Sequence, residues 1–336
     1  MTNSNRTINN IEVSGISLGA MSLSYAYGTP PEEAHSVRLL NEALDVGYSM
    51  IDTAALYGFG QNETLIRTAI GHRRNEYFLA SKCGLRGVDG KRELSNDPKT
   101  LRKTCEDSLR TLGTDVIDLL YLHRWDKVTP IEDCVGALSR LVDTGKIRSI
   151  GLSEVSAVTL RKAHDVHPIA AVQSEYSLWT REPEIAVLDA CRELGAAFIP
   201  FSPLARGYLT GLLRDASLLE AKDLRRNMPR FSPDNYPANL LLLDEFEALA
   251  KEAGCTMGQF ALAWLLHSND HVIPIPGTTN ISHLQENFAA LNVRLDDDAV
   301  AAANALINKD TISGPRYVPK TQAEIDTEQF QESDLN

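Results

Sequence analysis

Eight short apolar runs alternate with longer segments of helical period, and this alternation restricts what the chain can fold into. The apolar runs predict strands at Ile16–Ala20, Tyr48–Asp52, Tyr77–Lys82, Ile117–His123, Ile147–Leu152, Ile169–Gln173, Ala197–Phe201 and Val272–Ile275. Between them, apolar residues recur every three or four positions, which predicts helices such as Glu32–Asp45, Pro98–Leu112, Ile131–Thr144 and Glu184–Leu194. Strands that alternate with helices predict a parallel sheet covered by helices.

The number of these units separates the two folds that contain such a sheet. An open dinucleotide-binding sheet carries G-x-G-x-x-G after its first strand, and Gly15 and Gly19 do not make that spacing. Eight units favour a closed (β/α)8 TIM barrel. We therefore predict one α/β domain over residues 1–336, with the barrel at about 12–308. The additions are a short cap at residues 1–12, a long connection after the seventh strand at 203–238, and a polar tail at 314–336.

Charge and cysteine content exclude several other classes of protein. The formal net charge of −12 argues against nucleic acid or an anionic membrane as the main partner. The cysteines are scattered and odd in number, which is typical of reduced thiols in a cytoplasmic protein. The polar N-terminus lacks the apolar core of a signal peptide, and no apolar run approaches the roughly 18 residues of a membrane span.

Polar side chains gather where three neighbouring predicted strands end. Asp52 ends the second strand with Tyr57 in its loop, Lys82 ends the third, and His123 ends the fourth. Each alone could be a polar residue where a strand reaches water, but the active site of such a barrel lies at these strand ends. A nearby ammonium lowers the pKa of a phenol, so Asp52 and Lys82 are predicted to tune Tyr57. The result is a general acid/base site that needs neither a nucleophile nor a metal, in which His123 donates a hydrogen bond to a substrate oxygen or shares the proton.

The segment after the eighth predicted strand indicates an anion site. It places Gly277, Thr278 and Thr279 just before a helix that begins near Ile281. Backbone N–H groups at a helix start bind anions, and phosphate often binds after strands seven and eight of such barrels. A plain glycine turn followed by a threonine or asparagine helix cap accounts for the same residues.

Seven motifs in order resemble the aldo-keto reductases, from about Ile11 to Asn308. They are IDTAALYG at 51–58 with Glu63 beyond it, ASK at 80–82, DLLYLHRWD at 118–126, IRSIGLSEVS at 147–156, VQSEYS at 172–177, PFSPLARGYLTG at 200–211 and IPIPGTTNISHLQEN at 273–287. The resemblance implies a barrel that binds a nicotinamide dinucleotide without a Rossmann motif and reduces an aldehyde or ketone by hydride transfer. Tyr57 would be the proton donor, Lys82 and Asp52 would depress its pKa, and His123 would orient the carbonyl.

The resemblance also implies where the cofactor binds. Ser153, Glu154 and Gln173 would hold the nicotinamide carboxamide, Phe201 would stack on the ring, and Ser202, Leu204, Arg206 and Gly207 would lie along the pyrophosphate. The adenosine end would contact Gly277, Thr278, Thr279, His283, Glu286 and Asn287. Family members often place Arg or Lys there to bind the 2′-phosphate of NADP, whereas this chain has Thr279, Asn280 and His283. NADP(H) is the expected cofactor, with NAD(H) or the use of both as the alternative.

The expected partner is a small carbonyl compound. Its pocket is predicted to include Met21, Tyr25, Phe59 and Trp125, although packing accounts for Trp125 equally well. A second function fits the same resemblance, namely a cofactor-sensing barrel similar to the β-subunits of potassium channels, with little turnover. The intact set of acid/base residues favours the enzyme.

Overall fold

A computed structural model of the protein describes residues 5–88, 90–267 and 269–330, and a curved parallel sheet forms its centre. Within these residues, seven strands of this sheet pair side by side in chain order, each parallel to its neighbour. They are β1 (Leu18–Gly19), β2 (Met50–Asp52), β3 (Phe78–Cys83), β4 (Ile117–Leu122), β5 (Ile147–Ser153), β6 (Ile169–Glu175) and β7 (Ala197–Phe201).

The segment 272–276 closes the sheet into a barrel between β7 and β1. The N–H groups of Ile273 and Ile275 donate to carbonyls of β7 at 2.9 and 3.0 Å. On the opposite side, the carbonyls of Pro274 and Pro276 accept hydrogen bonds from the chain at β1 at 3.0 and 3.3 Å. The two prolines have no N–H to donate, so the ladder is interrupted and no regular strand forms. The predicted eighth strand therefore lies in its expected position between β7 and β1, but it lacks the continuous hydrogen bonding of a regular strand.

Helices cover the outside of the barrel. Their bounds are α1 (Glu33–Val46), α2 (Gln61–Ile70), α3 (Pro98–Leu112), α4 (Ile131–Asp143), α5 (Ala157–Val166), α6 (Val187–Leu194), α7 (Tyr236–Glu252), α8 (Met257–His267), α9 (Ile281–Ala289), α10 (Asp297–Leu306) and α11 (Pro319–Gln322). The helix predicted from Glu184 begins later, at Val187, because the backbone of Ala186 is not helical. No helix in the described ranges is both long and apolar enough to cross a bilayer.

Side chains alternate along each strand and fill two separate cores. Met50, Phe78 and Leu119 belong to the inner core, which fills the barrel. Leu79 and Leu120 belong to the outer core between the sheet and the helices. Because both faces are buried, the strands appear in the sequence as continuous apolar runs. A packed interior leaves the mouth at the C-terminal strand ends as the place for polar groups.

Two antiparallel hairpins and a tail complete the barrel. The strands Asn5–Ile8 and Ile11–Ser14 form the predicted N-terminal cap, and Ile8 packs into the inner core. A second hairpin, Leu85–Val88 with Lys91–Leu94, follows β3 and was not predicted. The connection after β7 consists of short 3-10 turns until α7 begins. Residues 314–330 of the tail cross the C-terminal ends of the strands, while residues 1–4 and 331–336 lie outside the described part of the chain.

Candidate active site

Asp52, Lys82 and Tyr57 form a hydrogen-bonded chain at the ends of β2 and β3. The Lys82 ammonium donates to Asp52 Oδ1, to the Thr53 carbonyl at 2.9 Å and to the Tyr57 hydroxyl at 3.2 Å. Gln173 at the end of β6 donates to the other oxygen of Asp52 at 2.8 Å. Asp52 and Lys82 are almost fully buried, so each charge depends on its partner for compensation. The ammonium is thereby held beside the phenol.

The strand register explains why these groups meet. Asp52 pairs with Ala80 across β2 and β3, and Lys82 lies two residues beyond Ala80 on the same face of β3. Both polar side chains therefore project from the inner face of the sheet, one step beyond the packed core. Tyr57 arrives from a 3-10 turn after β2, in which Gly58 has a φ of 56°.

The pKa values of this group follow from burial and from the ammonium. Burial raises the pKa of Tyr57, and the Lys82 charge acts in the opposite direction without cancelling the rise. Burial lowers the pKa of Lys82, but Asp52 and Tyr57 outweigh it, so the pKa of Lys82 is raised. Burial also raises the pKa of Asp52, against the effect of Lys82. The net direction for Tyr57 is opposite to the depression expected from the sequence, because burial outweighs the ammonium, and the phenol keeps its proton at neutral pH.

His123 follows β4 directly and faces Tyr57. The two rings meet edge to face, with 5.9 Å between their centres. Burial, together with the charges of Arg124 and Lys82, lowers the pKa of His123 well below its ordinary value. The imidazole is therefore neutral at pH 7, with one nitrogen that donates a hydrogen bond and one that accepts.

A cavity of about 1080 Å³ opens at the C-terminal ends of the strands, above these groups. Asp52, Tyr57 and His123 line it, as do Met21 and Tyr25 of the predicted substrate pocket. The residues of the predicted cofactor set that line it are Ser153, Gln173, Phe201, Ser202, Leu204, Arg206, Gly207, Gly277, Thr278, Thr279, His283, Glu286 and Asn287. The structure thus brings most of the predicted site residues to one cavity.

Phe59, Trp125, Glu154 and Lys82 belong to the predicted set but lie off the cavity wall. Phe59 is 51% exposed and packs on the backbone of Gly87 in the second hairpin. Trp125 packs against the outer core and donates from Nε1 to the Thr129 carbonyl at 2.7 Å. Glu154 is buried against the tail, and Lys82 lies behind Tyr57.

A buried charge cluster between the barrel and the tail was not found from the sequence. Glu175, at the end of β6, accepts from Arg206 at 2.7 Å and from Arg316 at 3.1 Å. Arg316 also donates to Glu154 at 2.9 Å, and the Tyr317 hydroxyl lies 3.3 Å from Glu175. Burial acts to raise the pKa of Glu175, but Arg206 and Arg316 lower it to about 2. The cluster fastens the tail across the strand ends.

The turn before α9 carries an asparagine helix cap. The Asn280 side chain accepts from the N–H groups of Ser282 at 2.7 Å and His283 at 3.3 Å. Gly277 lies against β1, and a Cβ added to it would be 2.9 Å from the Gly19 carbonyl oxygen. This wall of the cavity is therefore bare backbone next to the start of a helix.

Among residues 5–88, 90–267 and 269–330, no group of three or more His, Cys, Asp or Glu side chains is placed to hold a metal ion.

Residues 15–308 match the model of the Aldo/keto reductase family. The chain belongs to the aldo/keto reductase family. The family indicated by the sequence motifs is thereby confirmed.

Relatives of this aldo/keto reductase match it over most of their length. The NADP(+) aldo-keto reductase yakc of Schizosaccharomyces pombe is 41% identical over 327 residues, which cover 95% of this chain and 96% of that protein. The structure of glycerol dehydrogenase AKR11B4 from Gluconobacter oxydans is similar with a TM-score of 0.84 and 31% identity, over 91% of this chain and 95% of that one. The holo form of aldo-keto reductase AKR11C1 from Bacillus halodurans has a TM-score of 0.75 and 25% identity, over 92% and 98%.

Proposed function

We propose that this protein is an NADP(H)-dependent carbonyl reductase that converts an aldehyde or ketone to an alcohol. The observation that carries the proposal is the hydrogen bond from the buried Lys82 ammonium to the Tyr57 hydroxyl, in the wall of a cavity that His123 also lines. A protonated phenol beside a fixed cation is a general acid whose conjugate base is stabilised.

The cavity suits a dinucleotide in its chemistry. Phe201 presents an aromatic side chain to the cavity, and the bare backbone at Gly277 beside the start of α9 suits a phosphate. Ser22 adds a buried hydroxyl that lines the cavity and has no hydrogen-bond partner among the described residues. We assign the carboxamide to Ser153 and Gln173, because Glu154 is engaged by Arg316 and lies off the cavity wall.

The preference for NADP(H) is supported by the cofactor named for the S. pombe relative. Thr278, Thr279 and His283 line the cavity at the proposed adenosine end and offer hydroxyl and imidazole groups to a 2′-phosphate. NAD(H) remains the alternative, because no Arg or Lys stands at positions 279, 280 or 283.

The residues then divide the reaction between them. When bound, the reduced nicotinamide supplies the hydride to the carbonyl carbon. The neutral His123 imidazole donates a hydrogen bond to the carbonyl oxygen and polarises it. Tyr57 gives its proton to that oxygen as the negative charge develops, which completes the alcohol. Lys82 stabilises the phenolate that remains, and Asp52 holds Lys82 in place.

Cofactor titration followed by a carbonyl panel tests the proposal. Binding of NADPH and of NADH is followed by fluorescence, and turnover of simple aldehydes and ketones by the absorbance of the reduced nicotinamide. We expect tighter binding of NADPH and measurable reduction of at least one class of aldehyde. Tight binding without turnover across the panel would instead favour the cofactor-sensing function.

A further inference from the structure

Arg124 is a cation in the cavity wall that the reaction described above does not use. It follows His123 directly and lines the same cavity. Its Nη1 donates to the His123 carbonyl at 2.6 Å and to Ser153 Oγ at 3.0 Å. Within the described part of the chain, its hydrogen bonds come from Nη1 alone, and no carboxylate forms an ion pair with it. A guanidinium has five N–H donors, so Arg124 retains capacity for another ligand.

The other charged side chains near His123, where the substrate carbonyl is proposed to bind, have partners. Asp52 is paired with Lys82 behind the wall, and Arg92 is paired at 2.5 Å with Glu324 of the tail, which also lines the cavity. Lys127, on the same loop as Arg124, is exposed and donates to tail carbonyls. Arg124 is therefore the cation that lacks a charged partner here among the described residues.

A carboxylate already lies in the field of these arginines. Its hydrogen bond to Arg92 lowers the pKa of Glu324, and the charge of Arg124 lowers it further. The cavity mouth beside His123 thus stabilises anionic oxygen, and Glu324 is in a position to compete with an external anion. An uncharged aldehyde would leave the Arg124 guanidinium without a matching group.

We propose that Arg124 binds an anionic oxygen group of the substrate, so that the preferred substrates are short carbonyl compounds that carry a carboxylate or a phosphate. This inference rests on the reductase activity proposed above and adds the substrate class. A guanidinium binds either group through paired, charge-assisted hydrogen bonds. Glu324 occupies part of the same positive region until the substrate arrives.

Pairs of substrates, one anionic and one neutral, test whether Arg124 recognises the charge of the substrate. The carboxylate pair is 4-oxobutanoate and its methyl ester, and the phosphate pair is glyceraldehyde 3-phosphate and glyceraldehyde. The variants are Arg124→Gln, Arg124→Lys and Glu324→Gln, with Arg102→Gln as the control because Arg102 is an exposed arginine on α3, away from the cavity. Steady-state kcat and KM are measured for each pair, and binding of the alcohol product 4-hydroxybutanoate is measured by titration calorimetry with the cofactor present.

We expect wild type to prefer the anionic member of at least one pair by tenfold or more in kcat/KM. Tenfold corresponds to a difference of about 1.4 kcal/mol in free energy. Arg124→Gln should remove that preference, because kcat/KM should fall far more for the anionic member than for the neutral member, mainly through KM, as a lost charge-assisted hydrogen bond predicts. Arg124→Lys should retain part of the preference, Glu324→Gln should increase it, and Arg102→Gln should not change it.

Two results would overturn the proposal: equal kcat/KM for charged and neutral members in wild type, or an equal loss for both in Arg124→Gln. The second would show that Arg124 only positions His123 and Ser153. Absence of turnover with every substrate would refute the reductase activity. The calorimetric titration would then test the anion site by itself. Product binding that disappears in Arg124→Gln supports the anion site, and no binding to wild type refutes it.

Discussion

The Lys82 ammonium donates a 3.2 Å hydrogen bond to the Tyr57 hydroxyl and lies 4.9 Å from the centre of the Tyr57 ring. Lys82 is 1% exposed and Tyr57 is 8% exposed, so water screens this interaction little. Burial alone would make the phenolate very unfavourable. The buried cation reduces that cost at the one atom from which a proton can leave.

Tyr57→Phe removes the proposed acid and leaves the ring in place. We expect reduction to fall by about 10²- to 10⁴-fold, the usual contribution of a general acid, with cofactor affinity nearly unchanged. Single-turnover kinetics and a fluorescence titration measure the two quantities. Tyr25→Phe is the matched control, because its ring stacks at 6.3 Å from Tyr57 and lines the same cavity. Substantial turnover by Tyr57→Phe would mean that another group donates the proton.

Lys82→Met leaves the carboxylate of Asp52 buried without its cation. Removing one partner of a buried ion pair costs about 3–5 kcal/mol of unfolding free energy. The double variant Lys82→Met/Asp52→Asn should recover a large part of that loss, because no uncompensated charge remains. Urea denaturation of the two single variants and the double variant measures this coupling. Additive losses would show that the pair contributes little to stability.

The pH dependence of alcohol oxidation should also differ between Lys82→Met and wild type. Oxidation needs the phenolate of Tyr57, whose pKa is raised by burial and lowered by Lys82, with a smaller lowering from Arg124. Lys82→Met should therefore shift the rise of the oxidation rate to higher pH. An unchanged pH profile would exclude Lys82 as the group that tunes Tyr57.

Elements defined by local signals were predicted closely. Helix α3 has its predicted bounds because Asp97 caps its start, accepting from Thr100, and Gly113 ends it in the left-handed region. The eighth strand was misjudged because the apolar pattern of Val272–Ile275 outweighed Pro274, which cannot donate to a ladder. The second hairpin did have a signal, the Asp-Gly pair that precedes Lys91, which is typical of a tight turn.

Contacts between residues that are far apart in the sequence limit how much of the candidate site can be predicted. Asp52, Lys82 and His123 lie close together because the C-terminal ends of parallel barrel strands meet at one face. The spacing of the motifs can predict this arrangement. The pairing of Glu154 with Arg316 joins residues 162 positions apart, and no local pattern encodes it. The direction of the Tyr57 pKa likewise depends on burial, which only the packed structure determines.

A substitution at Gly277 tests the close backbone contact at the proposed adenosine end of the cavity. A Cβ there would lie 2.9 Å from the Gly19 carbonyl oxygen, a contact that forces the backbone to move. Gly277→Ala should lose about 1–3 kcal/mol of unfolding free energy and weaken cofactor binding. Gly136→Ala on α4 is the matched control, since a Cβ there meets nothing within 4 Å and alanine favours a helix by about 0.5–1 kcal/mol. Equal effects of the two variants would contradict the close approach.

Glu175 should make stability depend on acid pH. Its pKa is about 2 in the fold against an ordinary value of 4.5, so folding favours the carboxylate, and this stabilisation is complete above about pH 4.5. It is lost as the pH falls from about 4.5 towards about 2, and the difference between the two pKa values corresponds to roughly 3 kcal/mol.

Because Glu175 binds both Arg206 and Arg316, the tail should be released in the same pH range, and limited proteolysis should cut residues 314–330 faster. Glu175→Gln should be less stable than wild type at pH 7 and should lose most of the acid dependence, since its amide does not titrate. The exposed Glu245 on α7 provides the control Glu245→Gln, which should keep the wild-type curve. Urea unfolding between about pH 3 and 7 measures all three proteins, and a wild-type slope in Glu175→Gln would assign the acid sensitivity to other carboxylates.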